Sequence, residues 1–421
     1  MTAKRDFYYC GIGLLVLLSS AACVHLGNTA VHSTAALGQE LKLDLMVDPQ
    51  QNMPCLASLM GPPSEGERCS LWNDNIDGAP SYDASRRLVF VGAQNSYLYV
   101  LDADDGRVLA QIPTSGRVVT NTLFDLDQGL LYFGTDKGVV SAYDAFSYKH
   151  IFSFQADSKI NNDLLLEGNE LYFSTGVATV YALSSRAGNE KWRVERSLAL
   201  ERLRLTSNSS LSYVAEEKGI LVAPHPDGYL SLLDSKSGEL IKEIILSSAQ
   251  SNKVFPDIVA PIKLIGSILW VASYSGGLVA IDIKNWQIKE KVDIAGIQQL
   301  AFKDDVVFAA TKDSLYALKS GGLSLWQNNF FQLKTKVAQQ STIFERKNEV
   351  GKRVFLGLVS RLLVRDNQLI MGTSLGAMGM FDLRNGKLVQ VVGNSLGFGP
   401  KIGFGGDRVF ALTRKGSLVR F

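Results

Sequence analysis

The sequence predicts an all-β protein, namely an eight-bladed β-propeller whose ring is closed by an N-terminal strand. Three observations lead to this prediction. One segment of alternating apolar residues recurs along most of the 421 residues. Its copies are spaced much like propeller blades, whose repeats span roughly 40–45 residues. Signals for helices are almost absent.

The recurring segment is an alternating strand that ends in Asp and runs into a turn that ends in Gly. Its clearest copy is Tyr97–Asp102, followed by Gly106. In such a turn the Asp side chain can bond its own backbone, and Gly supplies a positive φ. A second alternating stretch, Arg87–Gly92, precedes it as another strand. The equivalent strand ends along the chain are Asp102, Asp144, Ser184, Asp234, Asp282, Lys319 and Asp382.

A single sheet built from one repeat would expose both faces and both edges. Stacking such sheets around an axis buries the faces and leaves only short edges. A plain β-sandwich is the alternative, but an Asp–Gly element recurring at this period argues against it. Gly-His and Trp-Asp signatures are missing, so a WD-type propeller is not expected.

The two ends of the chain are expected to meet in one blade. The last copy, Gly416–Phe421, stops before its Asp, so its sheet lacks a strand. Glu40–Val47 alternates correctly and is expected to complete the eighth blade, which makes residues 40–421 the propeller. Two stretches interrupt the repeats: a Pro/Gly-rich loop over residues 48–79 and a polar, exposed loop over residues 334–352.

The N-terminus has the order of an export signal. Two basic residues precede an apolar run over Phe7–Leu18, and small residues follow up to Ala22. Residues 1–22 are therefore predicted to be a signal peptide, because the run is shorter than the ~20 residues of a membrane span. This ending resembles a bacterial lipoprotein signal, in which Cys23 would carry the lipid and residues 23–39 would form a tether. Ordinary cleavage after Ala22 is the alternative.

Cys55 and Cys69 form an isolated pair within the loop over residues 48–79. In an oxidising compartment such a pair indicates a disulfide. It would close a loop of about 15 residues and stabilise the fold by about 3 kcal/mol. A metal site is not expected, because two cysteines without a nearby histidine do not fill a zinc shell.

Composition and charge give no sign of catalysis or of nucleic-acid binding. The net charge is only +2, whereas nucleic-acid binding needs a clustered basic face. The four histidines show no metal-ligand spacing, and the recurring Asp residues are explained by their turns. His225, in the Pro224–Gly228 segment, is expected to be a turn residue. We therefore assign no catalytic residue, no metal and no cofactor.

The repeat resembles that of the PQQ-like propeller family and, within it, the BamB-type lipoproteins of outer-membrane protein assembly. The residues that carry the resemblance are Tyr274–Asp282, Ser314–Trp326 and the C-terminal end. The likeness covers residues 40–421. It implies a monomeric, non-catalytic propeller that is anchored by lipid on the periplasmic face of the outer membrane.

The same resemblance implies two segments that bind a BamA-like barrel-forming subunit. The first is a Ser-Leu-x-Leu-Arg-like motif within Arg196–Ser209, for which two registers are open. One places it at Leu198, Leu200 and Arg202, and the other at Leu203 and Arg204. The second segment places an acidic residue, Asp257, before a Pro-containing turn, although the family's preceding acid is Phe255 here. Burial of these leucines in a strand is the alternative.

Three functions are therefore open at the level of sequence. The first is a scaffold that binds the barrel-forming subunit and aids the folding and insertion of nascent outer-membrane proteins. The second is another exported binding propeller. The third is a PQQ-dependent dehydrogenase-like protein, which is disfavoured because such enzymes need a pocket, Ca²⁺ and typically a pair of adjacent cysteines that this chain lacks.

Overall fold

The computed structural model describes residues 45–47, 80–196, 209–246, 258–330, 359–393, 398–413 and 418–420, apart from short gaps at 94, 161, 216–217, 259, 320–322, 374–376 and 406–407. Every regular element in these residues is a β-strand, and the strands form eight four-stranded antiparallel sheets. No described helix is long and apolar enough to cross a membrane. The predicted all-β propeller is confirmed.

Each of the first seven sheets is a simple meander of four consecutive strands. The first four sheets are β2 (Ser81–Asp83), β3 (Leu88–Gly92), β4 (Tyr97–Asp102) and β5 (Val108–Pro113); β6 (Leu123–Asp125), β7 (Leu130–Gly134), β8 (Val139–Asp144) and β9 (His150–Gln155); β10 (Leu165–Glu167), β11 (Glu170–Ser174), β12 (Val180–Ser184) and β13 (Glu190–Val194); and β14 (Ser212–Val214), β15 (Ile220–Pro224), β16 (Tyr229–Asp234) and β17 (Leu240–Ile245).

The remaining four sheets follow the same plan, and the eighth takes its outer strand from the N-terminal side. They are β18 (Lys263–Ile265), β19 (Ile268–Ser273), β20 (Gly277–Asp282) and β21 (Gln287–Val292); β22 (Gln299–Lys303), β23 (Val306–Ala310), β24 (Ser314–Lys319) and β25 (Leu323–Asn329); β26 (Val359–Arg365), β27 (Gln368–Thr373), β28 (Ala377–Asp382) and β29 (Leu388–Gly393); and β30 (Phe398–Gly405), β31 (Arg408–Thr413) and β32 (Leu418–Arg420) with β1 (Leu45–Val47).

The ring closes between the eighth and the first sheet. Strand β1 pairs with β32, with Val47 opposite Leu418, which fits the expectation that Glu40–Val47 supplies the missing strand. First strands of neighbouring sheets contact one another at several junctions, namely β6 with β10, β22 with β26 and β26 with β30, and β30 contacts β2. The ring of Phe410 lies 5.1 Å from that of Tyr82 and packs with Val89 and Tyr99 of the first sheet. Both sides of the junction therefore share one hydrophobic core.

The Asp–Gly turns have the structural role that the sequence predicts. Each recurring Asp or its substitute is the last residue of the third strand of its sheet. In the fourth sheet the Asp234 carboxylate accepts hydrogen bonds from the backbone N–H groups of Lys236 and Ser237, both at 2.9 Å. Gly238 closes the turn with a φ of 74°. The hydrogen bond from the Ser237 N–H lowers the pKa of Asp234, whereas burial raises it. The hydrogen bonds outweigh burial, and the pKa of Asp234 is lowered.

The tryptophans that follow two of these turns bond one sheet to the next. Trp192 Nε1 donates to the Ser235 carbonyl at 3.0 Å, and Tyr172 Oη donates to the same carbonyl at 3.1 Å. Trp326 Nε1 donates to the Leu383 carbonyl at 2.9 Å. That carbonyl has no second donor in the part of the chain that the structure describes. Buried polar groups need such partners. These bonds therefore stabilise the packing of neighbouring sheets.

The sequence did not single out the short first strand of most sheets. In the first five sheets this strand has three residues, such as Ser81–Asp83. Three residues are too few for an alternating pattern to stand out. The predicted insertions over residues 48–79 and 334–352 lie outside the described residues. So do the signal peptide over residues 1–22, the tether over residues 23–39, and Cys23, Cys55 and Cys69.

Candidate partner-binding face

Antiparallel meanders place two kinds of connection at the same end of the ring. The connections from each outer strand to the next first strand, and the turns between second and third strands, both lie there. We call this end the crossover face. An ion pair confirms the proximity: Arg117, which lies between β5 and β6, bonds Asp136, in the turn between β7 and β8, at 2.9 Å. The Asp–Gly turns lie at the opposite end.

Both predicted partner-binding segments belong to crossover-face connections. Leu198, Leu200, Arg202, Leu203 and Arg204 lie between β13 and β14, and Asp257 lies between β17 and β18. All six lie outside the described residues, so their contacts and the choice between the two registers stay predictions. The connections start and end on described residues, and they flank the fourth sheet on its two sides.

Arg196 is the last described residue before the first of these segments, and it is held by the fourth sheet. Its Nε and Nη2 lie 3.0 and 2.9 Å from Asp227 Oδ2, in the turn between β15 and β16. Its Nη1 donates to Glu243 of β17. The guanidinium lies 4.7 Å from the ring centre of Tyr229, within cation–π range. Only 18% of the side chain is exposed, so the start of the segment is fixed against the fourth sheet.

The electrostatics of this cluster favour a charged Arg196. Burial acts to lower the pKa of Arg196, but attraction and hydrogen bonds from Asp227 and Glu243 outweigh it, and the pKa is raised. The two carboxylates compensate the charge of the guanidinium. Removing one partner of a partly buried cation costs folding free energy, because the remaining charge is left without full compensation.

His225 lies beside this cluster in the tight turn that the sequence predicts. Its side chain is 4% exposed, and its Nε2 lies 2.9 Å from Ser231 Oγ. Burial, and then the charge of Arg196, lower the pKa of His225 to about 4. The imidazole is therefore neutral at neutral pH. The imidazole packs and hydrogen-bonds in the turn, and it carries no charge there.

A cavity of about 290 Å³ opens between the third and fourth sheets at the same place. Its apolar lining comes from Val180, Val194, Leu233 and Leu240. Its polar lining comes from the Arg196 cluster, with His225, Ser231 and Glu243. The cavity thus lies between two outer strands, β13 and β17, and its lining includes Arg196, the last described residue before the first predicted partner-binding segment.

A second cavity, of about 330 Å³, lies near the axis of the ring. Its lining includes Lys263, Gln299 and Arg361, which stand on or beside first strands. Its single carboxylate, Asp163, is bonded to the backbone N–H and the side-chain amide of Asn121, at 2.8 and 2.9 Å. Within the described ranges no group of three His, Cys, Asp or Glu side chains could hold a metal ion.

Sequence reasoning missed the cluster around Arg196. The signal that was available is the Pro224–Gly228 segment, which marks a tight turn with an acidic residue, Asp227, at its tip. Its partner Arg196 is 31 residues away along the chain. Only the stacking of the third sheet against the fourth brings the two together.

A ring of eight four-stranded sheets defines the protein as a β-propeller, and the connections on its crossover face make that face a candidate protein-binding surface. Comparison with known proteins then shows to which family the chain belongs. A family model described as outer membrane protein assembly factor BamB, of the PQQ_2 type, matches residues 94–328, which is more than half of the chain. The chain therefore belongs to the BamB family. An assembly factor is not an enzyme, and the expectation of a non-catalytic protein agrees with this family.

Two relatives named outer membrane protein assembly factor BamB are similar in sequence. That of Yersinia pestis is 21% identical over 258 residues, which is 57% of this chain and 64% of the relative. That of Legionella pneumophila (strain Paris) is 25% identical over 169 residues, which is 38% of this chain and 41% of the relative. The matched region thus spans less than two thirds of the length of either relative.

Solved structures share the fold at low identity. BamB from Moraxella catarrhalis superposes with a TM-score of 0.66 at 16% identity, over 82% of this chain and 96% of that one. Saccharomyces cerevisiae Sqt1 superposes with a TM-score of 0.64 at 12% identity, over 83% of this chain and 96% of that one. These likenesses show a propeller fold.

Proposed function

We propose that the protein is a non-catalytic scaffold of outer-membrane protein assembly, which binds a BamA-like barrel-forming subunit through its crossover face. The observation that supports the proposal is the family match, together with the positions of the two predicted segments in the chain, between β13 and β14 and between β17 and β18. They are separated along the chain, yet both connect to the fourth sheet at the same end of the ring.

The chemistry of these segments suits a protein partner. Leucines on a loop offer an apolar anchor, and arginine is among the residues that contribute most to protein interfaces. The cluster around Arg196 holds the base of the first segment against the fourth sheet. A rigid base lowers the entropy that is lost when a loop is ordered on binding.

We further propose that the protein is exported, that a lipid on Cys23 anchors it on the periplasmic face of the outer membrane, and that Cys55 and Cys69 form a disulfide in the loop over residues 48–79. The support is the order of charged, apolar and small residues before Cys23. Intact-mass measurement on protein from the native envelope tests all three. A mass that corresponds to a chain starting at an unmodified Cys23 would contradict lipidation, and free thiols at Cys55 and Cys69 would contradict the disulfide.

Recovery of the barrel-forming subunit tests the partner. Tagged mature protein is isolated from its own envelope, with the charge reversals Arg202→Glu, Arg204→Glu and Asp257→Lys made separately. We expect Asp257→Lys and one of the two arginine variants to recover less subunit at an unchanged melting temperature. Arg107→Glu is the matched control, because Arg107 is exposed and lies at the opposite end of the ring.

Two outcomes would count against the proposal. Failure of the unmodified protein to recover any barrel-forming subunit would remove the scaffold function. Unfolding of the variants would instead favour burial of the leucines in a strand. Quenching of tryptophan fluorescence by micromolar PQQ would support the dehydrogenase-like alternative.

A further inference from the structure

The cavity of about 330 Å³ near the axis of the ring is built by the inner parts of five sheets, and we call it the axial cavity. Its lining comes from residues shortly before β10 and β14 and from the beginnings of the first strands β18, β22 and β26. First strands begin where the crossover connections end, so the axial cavity lies at the crossover-face end of the axis. Its volume is at the lower end of the range for small-molecule sites, roughly 300–1,000 Å³.

Arg361 on β26 is a half-buried cation in this lining, and among the residues that the structure describes no carboxylate pairs with it. Other half-buried arginines have such partners: Arg86 binds Asp83, and Arg117 binds Asp136. A charge that is partly removed from water and left without compensation costs free energy. The guanidinium of Arg361 is therefore available to an anion that enters the axial cavity.

Two further hydrogen-bond donors line the axial cavity. Lys263, the first residue of β18, is exposed, and Gln299, the first residue of β22, is only 8% exposed. Within the described ranges, neither side chain has a hydrogen-bond or ion-pair partner. Buried polar groups normally have partners. An unpaired amide that is more than nine-tenths buried therefore points to a polar ligand in this cavity.

The charges of the lining favour an anion with a single charge. Lys263 and Arg361 supply two positive charges, and Asp163 supplies one negative charge. The Asp163 carboxylate accepts hydrogen bonds from the backbone N–H and the side-chain amide of Asn121, at 2.8 and 2.9 Å, which hold it in the wall. The remaining single positive charge matches a carboxylate, whereas a phosphate monoester carries about −1.5 to −2 at neutral pH.

Most of the remaining lining is apolar. It includes Ile262 and Leu362, which are 9% and 4% exposed, and the half-buried ring of Phe302. Small-molecule sites typically combine such apolar walls with a few placed polar groups. A bare inorganic anion would leave these walls in contact with water, whereas an apolar group attached to the anion would cover them.

We propose that the axial cavity binds a carboxylate that carries an apolar group. The planar guanidinium of Arg361 binds both carboxylate oxygens, Lys263 adds a second positive charge, and Gln299 Nε2 donates a neutral hydrogen bond. Two sources have this chemistry: a small carboxylic acid, and the C-terminal end of a polypeptide whose last residue is apolar. The inference does not rest on the proposed function.

Calorimetric titration of the purified mature protein tests the proposal, with N-acetyl-leucine as the probe. N-acetyl-leucinamide is the matched control ligand, because it keeps the apolar group and lacks the negative charge. Inorganic phosphate is the bare anion. We expect N-acetyl-leucine to bind, and the amide and phosphate to bind more weakly.

A short peptide that ends in leucine separates the two sources of the carboxylate. It is titrated with a free C-terminus and, as the control, with an amidated C-terminus. Tighter binding of the free-ended peptide than of N-acetyl-leucine would assign the cavity to polypeptide ends. Tighter binding of N-acetyl-leucine would assign it to small carboxylic acids.

Substitutions of the two cations test their roles. Arg361→Gln should weaken binding of N-acetyl-leucine about tenfold or more, because a partly desolvated charge pair is lost. Lys263→Gln should weaken it about two- to fivefold, because the pair is exposed. This exposed variant keeps the melting temperature of the unmodified protein, so it tests the site even if Arg361→Gln unfolds. Lys303→Gln is the control: Lys303 ends β22 outside the lining, its Nζ donates to the Asp366 carbonyl, and its loss should leave binding unchanged.

Four results would overturn the proposal: no binding of N-acetyl-leucine at millimolar concentrations, equal binding of the amide, tighter binding of phosphate, or an equal loss in Lys303→Gln. Recovery of the barrel-forming subunit by the unmodified protein is measured separately. Carboxylate binding without that subunit would defeat the proposed function alone. Recovery of the subunit without carboxylate binding would defeat this inference alone.

Discussion

Acid should destabilise the protein through the buried neutral imidazole of His225. In the folded state its pKa is lowered from 6.5 to about 4 by burial and by the charge of Arg196. In the unfolded chain the same group titrates near its ordinary value. Between about pH 6.5 and pH 4 the unfolded state therefore binds more protons than the folded state, and the free energy of unfolding falls as the pH falls.

The magnitude follows from the difference between the two pKa values. One pKa unit corresponds to about 1.4 kcal/mol, so this group should remove about 2 kcal/mol by pH 5 and about 3 kcal/mol below pH 4. Above pH 6.5 it contributes no pH dependence. Urea unfolding at a series of pH values measures the loss, with His225→Gln as the variant that cannot titrate. Its stability should fall less steeply between pH 6.5 and 4.

The matched control is His150→Gln. His150 also pairs with a serine, its Nε2 lying 2.8 Å from Ser153 Oγ, but it is exposed on β9. The His150→Gln variant should show the same slope of unfolding free energy against pH as the unmodified protein. The reasoning fails if His225→Gln shows the same pH dependence as the unmodified protein, or if NMR titration finds the folded imidazole of His225 charged at pH 6.

Three further predictions, two of them with a control substitution, test the packing between sheets and the loop over residues 48–79. Trp326→Phe should cost about 1–3 kcal/mol in urea unfolding, because a buried carbonyl loses its only described donor; Trp192→Phe should cost less, since a tyrosine bonds the same carbonyl. Gly238→Ala should cost about 1–3 kcal/mol more than Gly266→Ala. Both glycines have positive φ, but a Cβ at the first would lie 2.7 Å from an indole ring, and at the second nothing lies within 4 Å. Cys55→Ser should lower stability by about 3 kcal/mol under oxidising conditions only; an equal loss in reductant would exclude the disulfide.

The parts of the fold that could be predicted are those set by local chemistry. An alternating strand such as Tyr97–Asp102 and a turn that needs Gly at positive φ can both be recognised within a few residues. Their repetition gives the number of sheets, and the incomplete last repeat points to a closing strand near Val47. The three-residue first strands of the first five sheets carry no such pattern, and they were found only in the structure.

The candidate site could be predicted only in part, because its described portion depends on distant contacts. Arg196 lies 31 residues from Asp227 and 47 from Glu243. No local pattern relates these three residues.

The fourth sheet buries a histidine beside an arginine that is bound by two carboxylates, Asp227 and Glu243. Natural sequences break local rules mainly where function compensates for the cost. Glu243→Gln removes one of the two charged partners of Arg196 and should loosen the start of the first predicted segment. If it weakens subunit recovery at an unchanged melting temperature, the cluster positions that segment for the partner; if recovery is unchanged, the cluster serves the fold alone.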